Sequence, residues 1–180
     1  MVVQLNEFKQ RLAGGGARSN LFQVNISTWK GSFEPTDRDA EDFLVEAASL
    51  PASNIGVIEV PFRGRRLKIA GDRTFEPWTM TVINDATFSI RNGLESWMNL
   101  INDHIDATGA VNPVDYASDV VISQLAKNGS VIKGYTLRNA WPSDLSAIDV
   151  SYAAENEIER FTCTWQYDYW EATQGVITTG

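Results

Sequence analysis

The residue pattern that most constrains the fold is a strict alternation over residues 160–169. Apolar residues occupy every second position there: Phe161, Cys163, Trp165, Tyr167 and Tyr169. Side chains of a β-strand point alternately to its two faces, so this segment is predicted to be a strand with all five residues on one buried face. Shorter segments with strand character predict further strands at 21–27, 43–50, 57–60, 67–69, 78–84, 119–127, 131–139 and 147–152.

One helix interrupts these strands. Its apolar residues recur every three or four positions, which places them on one helix face: Leu94, Trp97, Met98, Ile101 and Ile105. Asn92 and Glu95 resemble an N-terminal capping pair, and Gly109 is typical of a helix end. We therefore expect a helix over about residues 92–107.

The order of the elements favours a mainly β fold with one α-helix. Asn128 and Gly129 predict a tight hairpin turn between two of the strands. No regular strand–helix repeat is present, which argues against a doubly wound parallel sheet. With 180 residues of which 43% are hydrophobic, the chain is long enough for one domain. We predict a β-sandwich or partly closed barrel at 21–171, followed by a C-terminal tail of small residues at 172–180.

The charge balance excludes whole classes of partner. The chain holds 23 acidic and 15 basic residues, a formal net charge of -8. Proteins that bind DNA or RNA without sequence preference usually carry positive charge, because the phosphate backbone is negative. An anionic membrane surface is disfavoured for the same reason. The apolar runs are only four or five residues long, too short to insert into a bilayer.

The residue inventory gives no catalytic or metal-binding constellation. The single cysteine, Cys163, alternates in phase with core residues, so a buried, unreactive thiol is favoured. The single histidine, His104, lies late in the predicted helix among acids, as a surface histidine would. The run Gly14-Gly15-Gly16 lacks the lysine of a phosphate-binding loop and indicates a flexible hinge. We expect no enzymatic activity, no cofactor and no metal.

Basic and acidic residues are segregated along the chain. Five bases fall within eleven residues: Arg63, Arg65, Arg66, Lys68 and Arg73. An acidic stretch precedes them at 34–46 and includes Asp37, Asp39 and Asp42. Three interpretations remain open on charge alone: complementary patches in an oligomer, a solvated face within one molecule, and a nucleic-acid site.

Two segments are expected to act in assembly. Pro61 and Gly64 interrupt the strand pattern, which suggests a protruding hairpin arm at about 57–74. Residues 1–20 contain a short amphipathic piece followed by the glycine hinge, and we expect a flexible N-terminal assembly arm there.

Several segments in order along residues 20–171 resemble the tail tube protein family of contractile-tailed bacteriophages. They are 20–27 (NLFQVNIS), 48–52 (ASLPA), 68–85 (KIAGDRTFEPWTMTVIND), 140–144 (AWPSD), 155–161 (ENEIERF) and 168–171 (DYWE). The most specific part is Ala-Gly-Asp-Arg-Thr-Phe, which begins at Ala70.

This resemblance implies a structural virion protein without an active site. Six copies would form a ring with a continuous β-barrel, and rings would stack into a helical tube inside a contractile sheath. The implied partners are further copies of the chain, the tail sheath protein, and baseplate and tail terminator proteins. Assembly would take place in the cytoplasm of the bacterial host. DNA would pass through the bore without specific binding, and an excess of carboxylates suits such a conduit because it repels phosphate.

Two alternatives remain beside this reading. The inner tube of a headless contractile injection device would share the fold and differ in its neighbouring genes. An enzyme or ligand-binding β-sandwich would be a discrete monomer or dimer with a pocket. In the tube reading, the predicted interface between copies consists of the five bases with Asp72 on one side, and Asp37, Asp39 and Asp42 on the other.

Overall fold

The computed structural model describes residues 16–32 and 44–174 of the chain. These residues form nine strands and two helices. The strands are β1 (Phe22–Ile26), β2 (Val45–Ala48), β3 (Asn54–Phe62), β4 (Arg65–Thr74), β5 (Trp78–Ile83), β6 (Ser118–Leu125), β7 (Val131–Leu145), β8 (Arg160–Gln166) and β9 (Tyr169–Gln174). The helices are α1 (Ser89–Ile101) and the single turn α2 (Pro113–Tyr116). The predicted mainly β fold with one main helix is confirmed.

Seven strands form one folded sheet that divides into two halves. The first half has the order β1-β6-β7-β9, and the second has the order β7-β8-β5-β2. All pairs are antiparallel, and β7 belongs to both halves. The remaining strands, β3 and β4, form a separate two-stranded sheet.

The two halves meet at a corner in β7. Arg138 pairs with Tyr169 on one side of the corner, and Trp141 pairs with Gln166 on the other. Asn139 between them has φ 53°, a left-handed conformation that asparagine tolerates better than most residues. A strand that changes sheets at such an irregularity lets one sheet fold over onto itself.

The core between the half-sheets is built on three tryptophans. The Trp97 ring on α1 meets Trp165 on β8 edge to face at a centroid distance of 5.4 Å, and it meets Trp29 at 6.1 Å. The Trp97 indole N–H donates to the carbonyl of Tyr116 in α2 over 2.6 Å. Both Trp97 and Trp165 are fully buried. The apolar side of α1 therefore closes the core through Leu94 and Trp97, as the period of its apolar residues predicted. Ile105 was predicted on the same side, but it lies beyond the end of the helix and is exposed.

The predicted helix ends are wrong at both termini. The helix begins at Ser89, and Asp85 rather than Asn92 accepts a hydrogen bond from the Ser89 amide at 2.9 Å. It ends at Ile101, so His104 lies beyond it, with its Nδ1 2.6 Å from Asn99 Oδ1. Gly109 does not end the helix directly. It lies in the following loop, which packs so closely against the helix end that a Cβ at this position would be 2.1 Å from the Ile101 carbonyl oxygen.

The structure corrects three of the predicted strands. The segment 131–139 does not stop at Asn139, because β7 resumes its ladder and runs to Leu145. No strand forms at 147–152, which belongs to the loop between β7 and β8. The alternation at 160–169 is broken after Gln166, so Tyr169 points away from the core and Trp170 packs against it. The predicted tail at 172–180 begins inside β9, which extends to Gln174.

Cys163 is a test of core packing. It lies on β8, fully buried, and burial raises the pKa of its thiol far above the ordinary value, with the Asp144 carboxylate adding to the effect. We expect the folded protein at neutral pH to be inert to a thiol reagent such as dithiobis-nitrobenzoate. The same protein in guanidinium chloride should release one equivalent of thionitrobenzoate per chain. Rapid reaction of the folded protein would contradict this packing.

Candidate assembly interface

The hairpin of β3 and β4 carries the basic residues predicted to form the interface. Its turn is Arg63-Gly64, with φ 47° and 82°. Positive φ at both central residues is the signature of a type I′ turn, which matches the twist of a tight hairpin. Arg63 lies in this turn, and Arg65, Arg66, Lys68, Asp72 and Arg73 all lie on β4. The hairpin spans 54–74 and so begins three residues before the predicted arm.

The register of the hairpin separates an apolar face from a charged face. The cross-strand pairs on one face are Ile58–Ile69, Val60–Leu67 and Phe62–Arg65. We call the five apolar residues of this set, Ile58, Val60, Phe62, Leu67 and Ile69, the apolar hairpin face. Their exposure ranges from 41% at Val60 to 67% at Phe62. None of them joins the hydrophobic core or packs against it.

The charged face holds two of the predicted interface bases. Glu59 lies opposite Lys68, and Pro61 lies opposite Arg66. Arg66 Nη1 is 2.7 Å from the Glu59 carboxylate on the same face. Arg65, by contrast, stands on the face of the apolar residues. The five bases therefore do not form one continuous patch, because neighbouring residues of a strand point in opposite directions.

The neighbouring residues Asp72 and Arg73 are not joined by any of the ion pairs found among the described residues. The two residues are consecutive in β4 and point to opposite faces. Their neighbour Gly71 lies where a Cβ would be 3.2 Å from the backbone of Gly56. The glycine allows the two strands to approach closely at the bulge near the start of β3 and the end of β4. We call this end of the hairpin the hairpin root.

The root of the hairpin is fixed to the folded sheet by two indole groups. The Trp78 N–H donates to the Ser49 carbonyl over 2.6 Å, and the Trp170 N–H donates to the Ala52 carbonyl over 2.9 Å. On the other strand, Phe75 meets Tyr167 edge to face at 6.1 Å. Three of the segments that resemble tail tube proteins, 48–52, 68–85 and 168–171, meet at this root. The segments most similar to tail tube proteins therefore include those that hold the hairpin root to the folded sheet.

Most of the predicted acidic side of the interface lies outside the residues that the structure describes. Asp37, Asp39 and Asp42 fall in 33–43, outside the described residues. Glu46, the last acid of that stretch, is described and pairs within its own chain with Arg160 at 2.5 Å. This carboxylate already has a cationic partner in the single chain.

The first half-sheet offers a second surface for assembly. Its outermost strands are β1 and β9, and each has one side without a paired strand among the described residues. The face turned away from the core carries Arg138 of β7, which bridges Asp119 of β6 at 2.5 Å and Glu171 of β9 at 2.8 Å. These hydrogen bonds, to Glu171 and to Asp119, raise the pKa of the Arg138 guanidinium. The trio ties three neighbouring strands together.

Groups for catalysis or metal binding are not assembled in the described part of the chain. No cluster of three or more histidine, cysteine or acidic side chains there could hold a metal ion. Cys163 is buried, and His104 is exposed beside Asn99. Within the same residues, no helix is long and apolar enough to cross a membrane. In this part of the chain, the outermost strands β1 and β9 and the exposed apolar hairpin face are the features that favour a partner.

This fold is the one found in contractile injection machinery. The chain superposes with a TM-score of 0.64 on a chain in the structure of the sheath/tube terminator of an extracellular contractile injection system in the extended state. The two sequences are 18% identical, and the match covers 87% of this chain and 96% of the other.

Comparison of the sequences identifies the protein family within this fold. The profile of the phage tail tube protein family matches residues 17–173, and the chain belongs to that family. Tail tube protein gp19 of Enterobacteria phage T4 is 32% identical over 160 residues, covering 88% of this chain and 93% of the phage protein. The tail tube protein of Serratia phage KSP90 is 33% identical over 167 residues, covering 91% and 93%. The chain is therefore a structural tail tube protein of a phage virion.

A matched pair of leucines tests whether the apolar hairpin face is free in the single chain. Leu67 is 60% exposed, whereas Leu137 on β7 is fully buried. Leu67→Ala should change the free energy of unfolding by less than about 0.5 kcal/mol, as at other surface positions. Leu137→Ala should lower it by about 2–5 kcal/mol, because it leaves a core cavity. Urea unfolding of dilute, unassembled protein measures both, and equal losses would contradict the exposed face.

Proposed function

We propose that this chain forms hexameric rings that stack into the inner tube of a contractile phage tail, a conduit for DNA ejection. The observation that carries the proposal is that β1 and β9, the outermost strands of the first half-sheet, each have only one neighbouring strand among the described residues. In the order β1-β6-β7-β9 every neighbour is antiparallel, so β1 and β9 run in opposite directions. The β9 edge of one copy can therefore pair with the β1 edge of the next and continue an all-antiparallel sheet. Closure into a ring removes exposed edges that would otherwise invite aggregation.

The strand count supports a wide channel. Six copies of a four-stranded half-sheet give a barrel of about 24 strands, more than the 16–18 strands that leave an aqueous channel in porins. With strands about 4.8 Å apart and tilted by about 40°, the backbone circumference is about 150 Å and the diameter about 50 Å. Side chains narrow this bore, but a DNA duplex still fits.

The charge of the proposed bore wall suits passage without binding. The face of the half-sheet that points away from the core holds two acids, Asp119 and Glu171, which share one base, Arg138. This base is engaged with carboxylates and is not presented to phosphate. A wall with an excess of acids offers DNA no counterion release, which is the main source of non-specific affinity. The proposed lining is therefore mildly acidic at this level of the ring.

The hairpin is proposed as the assembly arm. Exposed ion pairs contribute less than about 1 kcal/mol each, whereas burying a large apolar side chain contributes about 1.5–3 kcal/mol. On these magnitudes the apolar hairpin face supplies most of the binding free energy. Arg63, Arg65, Arg66, Lys68 and Arg73, with Asp72, then steer the approach, and Asp37, Asp39 and Asp42 of another copy are proposed as the acidic counterpart.

Further partners follow from the proposed place of the tube in the tail. The outer surface of the tube would contact the sheath protein, and its two ends would contact baseplate and terminator proteins. Assembly would occur in the cytoplasm of the bacterial host. The likeness in fold to a chain of an extracellular contractile injection system supports a second candidate, the tube of a headless device. Capsid and packaging genes beside this gene would favour the phage tail, and their absence would favour the headless device.

Electron microscopy of the purified chain tests the proposal directly. We expect rings or tubes in negative stain when the protein is concentrated in the presence of a chelator, because no described cluster needs a metal. Sedimentation should show assembly that increases with concentration. Monomer alone at every concentration, even with a baseplate-type initiator added, would contradict the proposal.

Charge reversal on the arm should block assembly without unfolding the subunit. Arg65→Glu, Arg66→Glu and Lys68→Glu together place three acids on exposed β4 positions. We expect loss of tubes in micrographs, with the thermal midpoint of the unassembled subunit nearly unchanged. The charge-preserving control, Arg65→Lys with Arg66→Lys and Lys68→Arg, should still polymerise.

A rescue experiment tests the acidic counterpart separately. Adding Asp37→Lys, Asp39→Lys and Asp42→Lys to the reversed arm should partly restore tubes. If the reversed arm polymerises normally by itself, the arm assignment is wrong. If only the rescue fails, the acidic stretch is not the partner and the arm assignment stands.

Residues 1–20 are proposed as a second assembly arm. Of these, 16–20 are described, and the Gln124 side-chain amide donates to the Arg18 carbonyl over 2.6 Å, which fixes where the arm leaves the sheet. Ordering a glycine-rich segment costs about 1–2 kcal/mol per backbone residue, so contacts with another copy must offset that cost. Deleting residues 2–16 should leave a folded subunit, by circular dichroism, that forms no long tubes. Long tubes from the shortened chain, or an unfolded shortened chain, would count against this role.

A further inference from the structure

Among the described residues, nothing covers the apolar hairpin face. Its five residues are largely exposed, and the hairpin root is anchored so that this face stands away from the core. A two-stranded hairpin is marginally stable by itself in water. An exposed contiguous apolar surface of this kind marks an interaction site.

A groove on the same molecule also presents apolar side chains, to which an apolar face could bind. It lies between α1 and the last part of β7, with a volume of about 730 Å³. Its apolar lining comes from Met98 and Ile101 of α1, and from Trp141, Pro142 and Leu145 of β7.

We infer that the apolar hairpin face of one copy seats in the α1–β7 groove of a second copy. This inference rests on the proposed tube function and names the surface that receives the arm. The occupant is another copy of this chain because both halves of the contact are present on one molecule, and the anchored root directs the hairpin away from its own body.

Charge and size support the pairing. Glu95 lines the groove and keeps 53% of its side chain exposed, although it contacts Arg91 at 2.8 Å. Arg65 lies on the hairpin face opposite Phe62. In the proposed contact, the Arg65 guanidinium would therefore lie near the Glu95 carboxylate. The face extends over three cross-strand pairs, about 13 Å at about 3.3 Å per residue. The helix beside the groove is about 20 Å long at about 1.5 Å per residue, which accommodates the face.

The symmetry of this contact agrees with a tube. A hairpin on one surface that enters a groove on another surface makes a heterologous contact. Such contacts propagate from copy to copy and give rings or open helical filaments, whereas a self-complementary patch would stop at a dimer.

Engineered cysteines can detect the contact, because the native Cys163 is buried. Leu67→Cys or Ile69→Cys provides the hairpin partner, and Met98→Cys or Leu145→Cys provides the groove partner. A hairpin variant and a groove variant are mixed, assembled and oxidised, and covalent dimers are read on a non-reducing gel. A disulfide requires Cβ atoms about 3.5–4.5 Å apart, so we expect dimers in at least one of these four mixtures.

The matched control uses the opposite face of the same strand. Arg66→Cys or Lys68→Cys, mixed with the same groove variants, should lose the dimer band. Dimers of equal yield from both faces would overturn the assignment of the apolar face. A double variant that cross-links within one chain would also overturn it, because the hairpin would then fill its own groove.

Microscopy of the same samples separates failure of this inference from failure of the proposed function. Tubes without dimers in any of the four mixtures would overturn the groove assignment and leave the tube function standing. An unmodified chain that forms neither rings nor tubes would overturn the proposed function and this inference with it.

Discussion

The structure depends on the polar corner where β7 passes from one half-sheet to the other. Asn139 turns there with positive φ, and its side-chain amide donates to Asp168 over 2.7 Å. Arg138 beside it holds Asp119 and Glu171, so the corner joins β6, β7 and β9. β7 pairs with β9 before the corner and with β8 after it. Without the corner, these two pairings would continue in a single sheet. With it, the two half-sheets face each other and enclose the tryptophan core.

The corner also determines where the hairpin stands. The break between β8 and β9 shifts the alternation by one residue, which turns Trp170 inward instead of Tyr169. Trp170 then reaches the Ala52 carbonyl at the hairpin root, and its ring meets Tyr135 edge to face at 5.3 Å. The break between β8 and β9 therefore supplies one of the two indole hydrogen bonds at the hairpin root, and Trp78 supplies the other.

Folding and assembly draw on different parts of the molecule. The core residues of the folded sheet, such as Trp165 and Leu137, are fully buried in a single chain. Within residues 16–32 and 44–174, the hairpin has apolar residues that stay exposed, and the outer strands β1 and β9 each have only one neighbouring strand. A subunit built like this can fold alone and still gain free energy from its neighbours. Variants of the hairpin are therefore expected to separate assembly from stability.

The sequence by itself determined the elements with strong local periodicity. The apolar period of three and four at Leu94, Trp97 and Ile101 identified the helix, the Asn128-Gly129 turn identified a hairpin, and the tail tube motifs identified the family. Local backbone preferences and side-chain alternation depend on neighbours in the sequence, so they can be recognised without the fold. Pro61 and Gly64 in the same way predicted a hairpin at about 57–74, and the structure has one at 54–74.

The tertiary structure decided which face each residue presents and what it contacts. Tyr169 and Trp170 exchange roles because the break between β8 and β9, where Asp168 accepts a hydrogen bond from Asn139 of β7, shifts the alternation. Asp85 displaces Asn92 at the helix start because the chain reaches the helix from β5. The bases of the arm divide between two faces, and an apolar face appears that charge alone did not indicate. The exchange of Tyr169 and Trp170 depends on a contact between segments distant in sequence, which local residue patterns do not encode.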